Sequence, residues 1–249
     1  MGTRTRSMAL AAAFCAALLT AAPASAAGPT STPPRPTDTA PTSEFGPLGK
    51  WMLKEHCAFP DDCPISDWLG HPYDGKTLDE PINVILVDRS SPTPHQAVEK
   101  LTAAMERAGF PSRAGHSSGY HALLPDAHGT PTPHRQQPHA SDHAFADAPF
   151  FAPLIDHGRV FGPARFAGGF VWTAALSAER PGLYHEPDGS WSFTHDYVSF
   201  DSARDKLCTA VVVTGAGRCG AAVDLGNAYD RGSVTTGDHD GRAAVIDLG

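Results

Sequence analysis

The sequence predicts an α+β fold with a ferredoxin-like split βαβ core, in which a mixed or antiparallel sheet carries helices on one face. A short apolar, β-branched run at residues 82–87 is typical of a central strand buried on both faces. Helical patterns begin at residues 93 and 201, and two strand-like runs flank a Gly-Gly pair at residues 168–169. The order strand, helix, hairpin, helix, strand is the split βαβ pattern, here with N-terminal and C-terminal additions.

Residues 1–26 have the pattern of a Sec-type signal peptide. Arg4 and Arg6 precede a short apolar run at residues 8–19, and the small residues up to Ala26 form a cleavage signature. The apolar run is shorter than the roughly 20 residues that a membrane-spanning helix needs. We therefore expect cleavage near Ala26, a secreted, extracellular protein and no membrane insertion.

The composition predicts a linker and one domain after the signal peptide. Residues 27–44 are rich in Pro, Thr and Ser and poor in apolar side chains, which predicts a disordered linker. Residues 45–249 have the length of a single domain. Within it, residues 45–75 are expected to form a small N-terminal segment that packs on the rest of the domain.

Four cysteines remain after the signal peptide is removed. Export to an oxidising compartment favours two local disulfides, Cys57–Cys63 and Cys208–Cys219, because short loops close most readily. A four-thiolate zinc site is the alternative, although neither spacing resembles C-x-x-C.

The charge balance excludes one class of partner. The chain has 19 Lys and Arg against 27 Asp and Glu, a net charge of −8. No basic cluster is present to neutralise a polymer of phosphates, so we expect no nucleic-acid partner. The expected partner is a small molecule or a component of the cell envelope.

The first helix has start and stop signals. Thr93 is a candidate N-cap, Pro94 suits the first helical position and Gln96 the capping-box position, and Gly109 is placed to end the helix. The apolar residues recur at steps of three and four: Val98, Leu101, Met105 and Ala108.

The later elements follow from similar signals. Residues 125–149 are rich in Pro and His and predict an exposed loop, and residues 160–166 and 170–176 predict an antiparallel hairpin. Asp201 is a candidate cap for the second helix. Closing strands are expected at residues 221–225 and 243–248.

Ser117 lies in a G-x-S-x-G pattern at residues 115–119, which is typical of a nucleophile elbow. An elbow needs a buried strand before the serine and a helix after it, and the flanking residues predict neither. Asp201 and His239 follow in the chain order of a hydrolase triad. A serine hydrolase and a plain glycine-serine turn therefore both stay open.

His195 is followed by Asp201, Arg204 and Asp205, which could hold a divalent cation or perform acid–base chemistry if strand and helix bring them together. Alternatively, the two acids favour the N-terminal turn of a helix and Arg204 pairs with a neighbour. Both interpretations remain open.

Two further clusters are candidates. Asp238 and His239 lie between glycines near the C-terminus, where they suit either a metal site or a tight turn. His157 belongs to a polar run just before the predicted hairpin. The metal-ligand candidates are thus His195, Asp201, Asp205, Asp238 and His239.

Several short motifs between about residues 80 and 225 resemble the LssY C-terminal domain family. They are a P-x-N-V strand at 81–84, a helix ending in Ala-Gly-Phe at 108–110, an aromatic strand at 170–175, and Thr194-His195 before Asp201 to Asp205. The family's doubled histidine is Thr194-His195 here, and Tyr197 and Ser199 replace aspartates that its members usually carry. The resemblance implies an envelope setting, and the activity of the family is unassigned.

These observations predict a secreted domain that binds a ligand in a polar cleft formed around His195, Asp201, Arg204 and Asp205. The alternative is an enzyme, either a metal-assisted hydrolase of the phosphoesterase type or a serine hydrolase that uses Ser117. The only cofactor the sequence suggests is a divalent metal.

Overall fold

The computed structural model describes residues 32–54, 65–137, 143–185 and 188–249. The predicted signal peptide, its cleavage site and the Cys57–Cys63 pair lie outside these residues. The strands are β1 (Thr39–Thr42), β2 (Gly46–Gly49), β3 (Leu53–Lys54), β4 (Asp67–Tyr73), β5 (Lys76–Asp79), β6 (Val84–Asp88), β7 (Ser112–Arg113), β8 (Tyr120–Pro125), β9 (Pro131–Gln137), β10 (Ala144–Ala146), β11 (Ile155–Phe166), β12 (Gly169–His185), β13 (Trp191–Ser199), β14 (Arg218–Cys219), β15 (Val223–Asp224), β16 (Asp230–Arg231), β17 (Val234–Thr235) and β18 (Arg242–Asp247); the helices are α1 (Pro94–Arg107) and α2 (Phe200–Val213).

The predicted ferredoxin-like α+β class is wrong, because the structure is mostly β. Strands make up 47% of it and helices 15%. In the described part of the chain, twelve strands join one sheet, whose main path runs β14-β18-β6-β12-β11-β9-β8-β3. A four-stranded sheet (β16-β17-β5-β4) and the β1–β2 pair complete it.

The predicted central strand is confirmed. All five residues of β6 are buried, and β6 pairs with β18 in parallel and with β12 in antiparallel orientation. Its side chains alternate between two cores, as the pleat of a strand requires. Val84 and Leu86 belong to one hydrophobic cluster, and Ile85 and Val87 belong to the other.

The two faces of the sheet are covered differently. On one face the cluster includes apolar side chains of both helices, among them Leu101 of α1 and Leu207 of α2. On the other face the cluster includes Leu48 of β2 and Tyr120 of β8, so strands cover this face. The ferredoxin-like prediction included the helices on one face of the sheet, but it did not include a second layer of strands on the other face.

Both helices have well-defined N-terminal caps. The hydroxyl of Thr93 accepts a hydrogen bond from the Gln96 amide, which confirms the predicted cap of α1. The cap of α2 is Ser199, not Asp201 as expected, and its hydroxyl accepts from the Ser202 amide. Asp201 instead lies in the first turn, where the helix dipole favours an acid.

Two segments expected to be irregular contain strands. The end of the predicted linker, Thr39–Thr42, pairs with β2. The predicted exposed loop at 125–149 contains β9 and β10, and Phe145 of β10 is 2% exposed. The predicted hairpin is confirmed but longer than expected, since β11 and β12 extend to Ile155 and His185.

The predicted Cys208–Cys219 disulfide is confirmed, and it joins α2 to β14 with a Cα–Cα distance of 5.6 Å. Neither of the helices in the described residues is long and apolar enough to cross a membrane.

Candidate metal centre

Three adjacent strands bring His157, Glu179 and His195 together. His157 in β11 lies opposite Ser177 in β12, and Glu179 lies two residues further along β12. Tyr197 in β13 lies opposite Glu179, and His195 lies two residues before Tyr197. Because side chains two residues apart on a strand share a face, all three project from the same side of the sheet.

The three side chains present metal-ligand atoms to one point. One nitrogen of each histidine and one oxygen of Glu179 lie within 4.8 Å of one another. Nε2 of His157 contacts Oε2 of Glu179, and Nδ1 of His195 lies 3.1 Å from the same oxygen. Two imidazoles and one carboxylate form a donor set that suits zinc and other divalent transition metals. These residues can hold such an ion.

The Glu179 carboxylate supplies the negative charge of this group. Burial alone would raise the pKa of Glu179, but the charge of His157 and hydrogen bonds from His157, His195 and Ser177 lower it to about 2. Burial alone would lower the pKa of His195, but the hydrogen bond and the charge of Glu179 raise it. Glu179 is therefore an ionised carboxylate with no exposed surface.

The group lines a pocket of about 260 Å³. Another lining residue, His116, stacks on His157 with the ring centroids 4.7 Å apart. The Nε2 atom of His116 is buried and has no hydrogen-bond partner among the described residues. Burial, with the nearby charges of His157 and Arg159, lowers the pKa of His116 to about 3. Its neutral ring thus adds a nitrogen beside the ligand group.

Arg159 places a positive charge in the same pocket. Its Nη2 donates to the Ser117 hydroxyl at 2.9 Å and to the Ser117 carbonyl at 3.2 Å, and its guanidinium lies 4.1 Å from the centroid of the Tyr120 ring. Arg159 is 4% exposed, and no carboxylate of the described residues forms an ion pair with it. A buried cation without a carboxylate partner favours an anionic ligand.

Gly158 permits the close approach of β11 and β12 at this site. A Cβ atom at this position would overlap the Ala175 carbonyl oxygen and the Leu176 side chain. Any side chain here would push the two strands apart, and with them His157 and Glu179. This explains the glycine between two pocket residues, His157 and Arg159.

The other sequence candidates form a second group. Asp201, His239 and Asp240 also present ligand atoms within 4.8 Å of one another. However, Nη1 of Arg204 lies 3.0 Å from Asp201 and 2.8 Å from Asp240, and its Nε lies 2.8 Å from Asp205. The guanidinium thus already supplies positive charge to these carboxylates.

Asp238 has a structural role beside this second group. It accepts hydrogen bonds from the Tyr197 hydroxyl, from the Ser199 hydroxyl at 2.5 Å and from the Phe200 amide at 2.8 Å. These bonds fix the start of α2 against the C-terminal segment. His239 similarly spans Asp201 and the Asn227 side chain with its two ring nitrogens.

Ser117 does not lie in a nucleophile elbow. It precedes strand β8 rather than a helix, and its hydroxyl contacts Arg159 and the Tyr120 hydroxyl. Asp201 and His239, its candidate triad partners, belong to the second group.

The structure therefore divides the sequence candidates between two places. His157, His195 and Ser117 line the pocket, whereas Asp201, Arg204, Asp205, Asp238 and His239 do not. Sequence reasoning missed Glu179 and His116. The signal for Glu179 was an acidic residue just after the apolar run at 170–176, and His116 lay inside the motif considered for Ser117.

Comparison of the chain with protein-family models, curated proteins and solved structures finds no match.

Proposed function

We propose that this protein is a metal-dependent hydrolase of phosphate esters, with a divalent metal held by His157, Glu179 and His195. The observation that carries the proposal is the convergence of three buried ligand atoms beside an open pocket. Catalytic zinc sites commonly combine three protein ligands with one position left for water or substrate. A metal bound there supplies a Lewis acid and lowers the pKa of its water.

The pocket residues suit a phosphate ester. Nε and Nη2 of Arg159 already donate to Ser117, so the guanidinium can offer Nη1 and its positive charge to a nonbridging oxygen of a phosphoryl group. His116 offers a hydrogen-bond acceptor to the attacking water. In hydrolysis, the water oxygen bonds to phosphorus and the water releases a proton to solvent, while the bond from phosphorus to the ester oxygen breaks and the leaving alkoxide takes a proton from solvent to become the alcohol.

We further propose that this hydrolase is secreted and acts at or beyond the cell envelope, as an LssY C-terminal-like domain. The signal-peptide pattern of residues 1–26 and the Cys208–Cys219 disulfide support export. The resemblance to that family stays a prediction.

The first test is metal content and activity of single variants. We expect the protein purified with zinc or manganese to bind about one metal ion per chain and to hydrolyse 4-nitrophenyl phosphate. His157→Ala, Glu179→Gln and His195→Ala should each lower metal affinity by about tenfold or more, a typical effect of losing one ligand or its support. Metal analysis and metal-dependent thermal shifts measure this.

Matched controls separate ligation from general damage. His128→Ala removes an exposed histidine and should leave metal content and activity unchanged. Asp240→Asn alters the second group and should also leave the metal in place. Full metal content in all three ligand variants would contradict the proposal, and metal binding without hydrolysis of any ester would leave ligand binding in the polar cleft as the function.

A second candidate is an iron(II) oxygenase, because two histidines and one carboxylate also form the ligand set of mononuclear iron enzymes. Preferential binding of iron, with oxygen consumption that Glu179→Gln abolishes, would favour it over the hydrolase.

A further inference from the structure

An apolar surface continues from the pocket along the β12–β13 arm. In β13, Trp191 and Phe193 lie four and two residues before His195, so their side chains project from the same face as that of His195. Leu183 of β12 lies opposite Phe193 in the ladder. Trp191 and Phe193 are each 66% exposed and Leu183 is 62% exposed. Solvent thus reaches three large apolar side chains on the face that carries a candidate metal ligand.

Aromatic contacts connect this surface to the candidate metal centre. The Phe150 ring lies 4.1 Å from the His195 ring and 5.0 Å from the Phe151 ring, measured between centroids. Phe151 in turn lies 5.4 Å from Phe193 and is 66% exposed. Phe150 and Phe193 both line the pocket. We call Phe151, Leu183, Trp191 and Phe193 the apolar rim.

We propose that the apolar rim binds the alkyl or aryl group of an amphiphilic substrate whose anionic head enters the pocket. This inference rests on the proposed function and specifies its substrate class. The pocket holds the positive charge of Arg159 and the candidate metal ligands, so the head is the anionic part of the molecule. The rim exposes four large apolar side chains to solvent, so the part that covers it is apolar.

The size of the pocket supports this division of the substrate. A volume of about 260 Å³ is smaller than the roughly 300 to 1,000 Å³ of pockets that enclose a drug-sized ligand. The anionic head fits inside it, and the attached chain must leave through the mouth. Exposed aromatic rings at that mouth gain stabilisation when a chain removes them from water.

The test uses methyl-, butyl- and octylphosphonate, which carry the anionic head but cannot be hydrolysed. Their dissociation constants for the zinc-loaded protein are measured by titration calorimetry. We expect butylphosphonate to bind about tenfold more tightly than methylphosphonate, because the rim removes its three additional methylenes partly from water. Octylphosphonate should bind more tightly still.

The double variant Phe151→Ser/Trp191→Ser, which changes two rim residues that do not line the pocket, should reduce the gain from methyl to butyl to about twofold and leave methylphosphonate affinity unchanged. Val213→Ser replaces an apolar side chain that is 77% exposed at the end of α2 and does not belong to the rim. This control variant should behave as the wild type. This pair of variants separates a specific subsite from general surface hydrophobicity.

Five outcomes would overturn the inference. Methylphosphonate binding with no dependence on chain length would remove the rim as a subsite and leave the proposed hydrolase intact. Equal octylphosphonate affinity without zinc would show that rim and metal site are not coupled. A dimer that the double variant dissociates, or rim-dependent binding to phosphatidylcholine vesicles, would assign the rim to another occupant. No phosphonate binding, with zinc content independent of His157, would remove the hydrolase as well.

Discussion

Asn83 connects the central strand region to β12 and to the start of α2. Its Nδ2 donates to the carbonyls of Leu176 at 2.9 Å and Phe200 at 3.1 Å, and its Oδ1 accepts from the Leu176 amide at 3.0 Å. The side chain is fully buried. No other side chain of similar size can both donate to two carbonyls and accept from an amide here.

Asn83→Ala should therefore lower the free energy of unfolding by about 2 to 4 kcal/mol, since three hydrogen bonds are lost and buried backbone groups are left unpaired. Urea denaturation measures this as a lower midpoint with an unchanged slope. Thr209→Ala, which removes one exposed hydrogen bond on α2, is the control and should change stability by less than about 0.5 kcal/mol. A similar small effect at Asn83 would contradict this role.

At the same scale, the sequence named both histidines of the candidate metal group, His157 and His195, but grouped His195 with Asp201, which the structure places beside His239 and Asp240. Asp201 and Asp205 lie close to His195 in the chain, and Glu179 does not. Glu179 reaches His195 through the β12–β13 ladder, and a register between strands is not encoded by local periodicity. Sequence proximity was therefore a poor guide to spatial proximity.

At the scale of elements, strong local signals were sufficient to predict where a helix forms. α1 has an N-cap, an N-terminal proline and an apolar stripe, and the structure has the helix where these signals predict it. β9 and β10 lacked such signals, because β9 contains two prolines and alternates only weakly between buried and exposed residues. Their pairing with β8 and β11 creates the strands, and this pairing depends on the rest of the sheet.

The Cys208–Cys219 disulfide acts on one such element, because it ties α2 to β14. It closes a loop with a sequence separation of 11 and should stabilise the folded state by about 2 to 3 kcal/mol through the unfolded chain. Cys208→Ser/Cys219→Ser should therefore lower the free energy of unfolding by the same amount, which urea denaturation measures as a lower midpoint.

Zinc binding should change little in this variant, because the bridge does not contact His157, Glu179 or His195. Reduction of the wild type should reproduce the loss of stability, and the variant itself should not respond to reductant. A variant as stable as the oxidised wild type would contradict the prediction.

At the scale of the whole molecule, the predicted fold class failed although several of its elements were correct. The prediction placed no strand at residues 120–124 and assigned residues 125–149 to an exposed loop. In the structure, β8 of this segment contributes Tyr120, Ala122 and Leu124 to the core on the face opposite the helices. A second layer of strands on this face forms only through pairing between residues that are distant in the sequence. Patterns among neighbouring residues do not show such pairing.

The stability of the whole molecule should depend on pH through Asp88, at the end of the central strand. Burial alone would raise the pKa of Asp88, but hydrogen bonds from Ser91, Ser90 and Lys100 lower it to about 2. The Lys100 ammonium lies 3.0 Å from the carboxylate, which joins β6 to α1. A carboxyl whose pKa is lower in the folded state contributes stability above its unfolded pKa and loses it as the pH falls through the folded value.

Asp88→Asn should therefore lower the free energy of unfolding by about 1 to 2 kcal/mol at pH 6, and the difference from the wild type should shrink as the pH falls from 4 to 2. Urea denaturation at pH 6, 4 and 2.5 measures this difference directly. Asp74→Asn, in an exposed turn, serves as the control for the loss of one negative charge. Because other carboxylates titrate in both proteins, only the difference between wild type and variant reports on Asp88. A difference that stays constant or grows as the pH falls would contradict the assigned role of this ion pair.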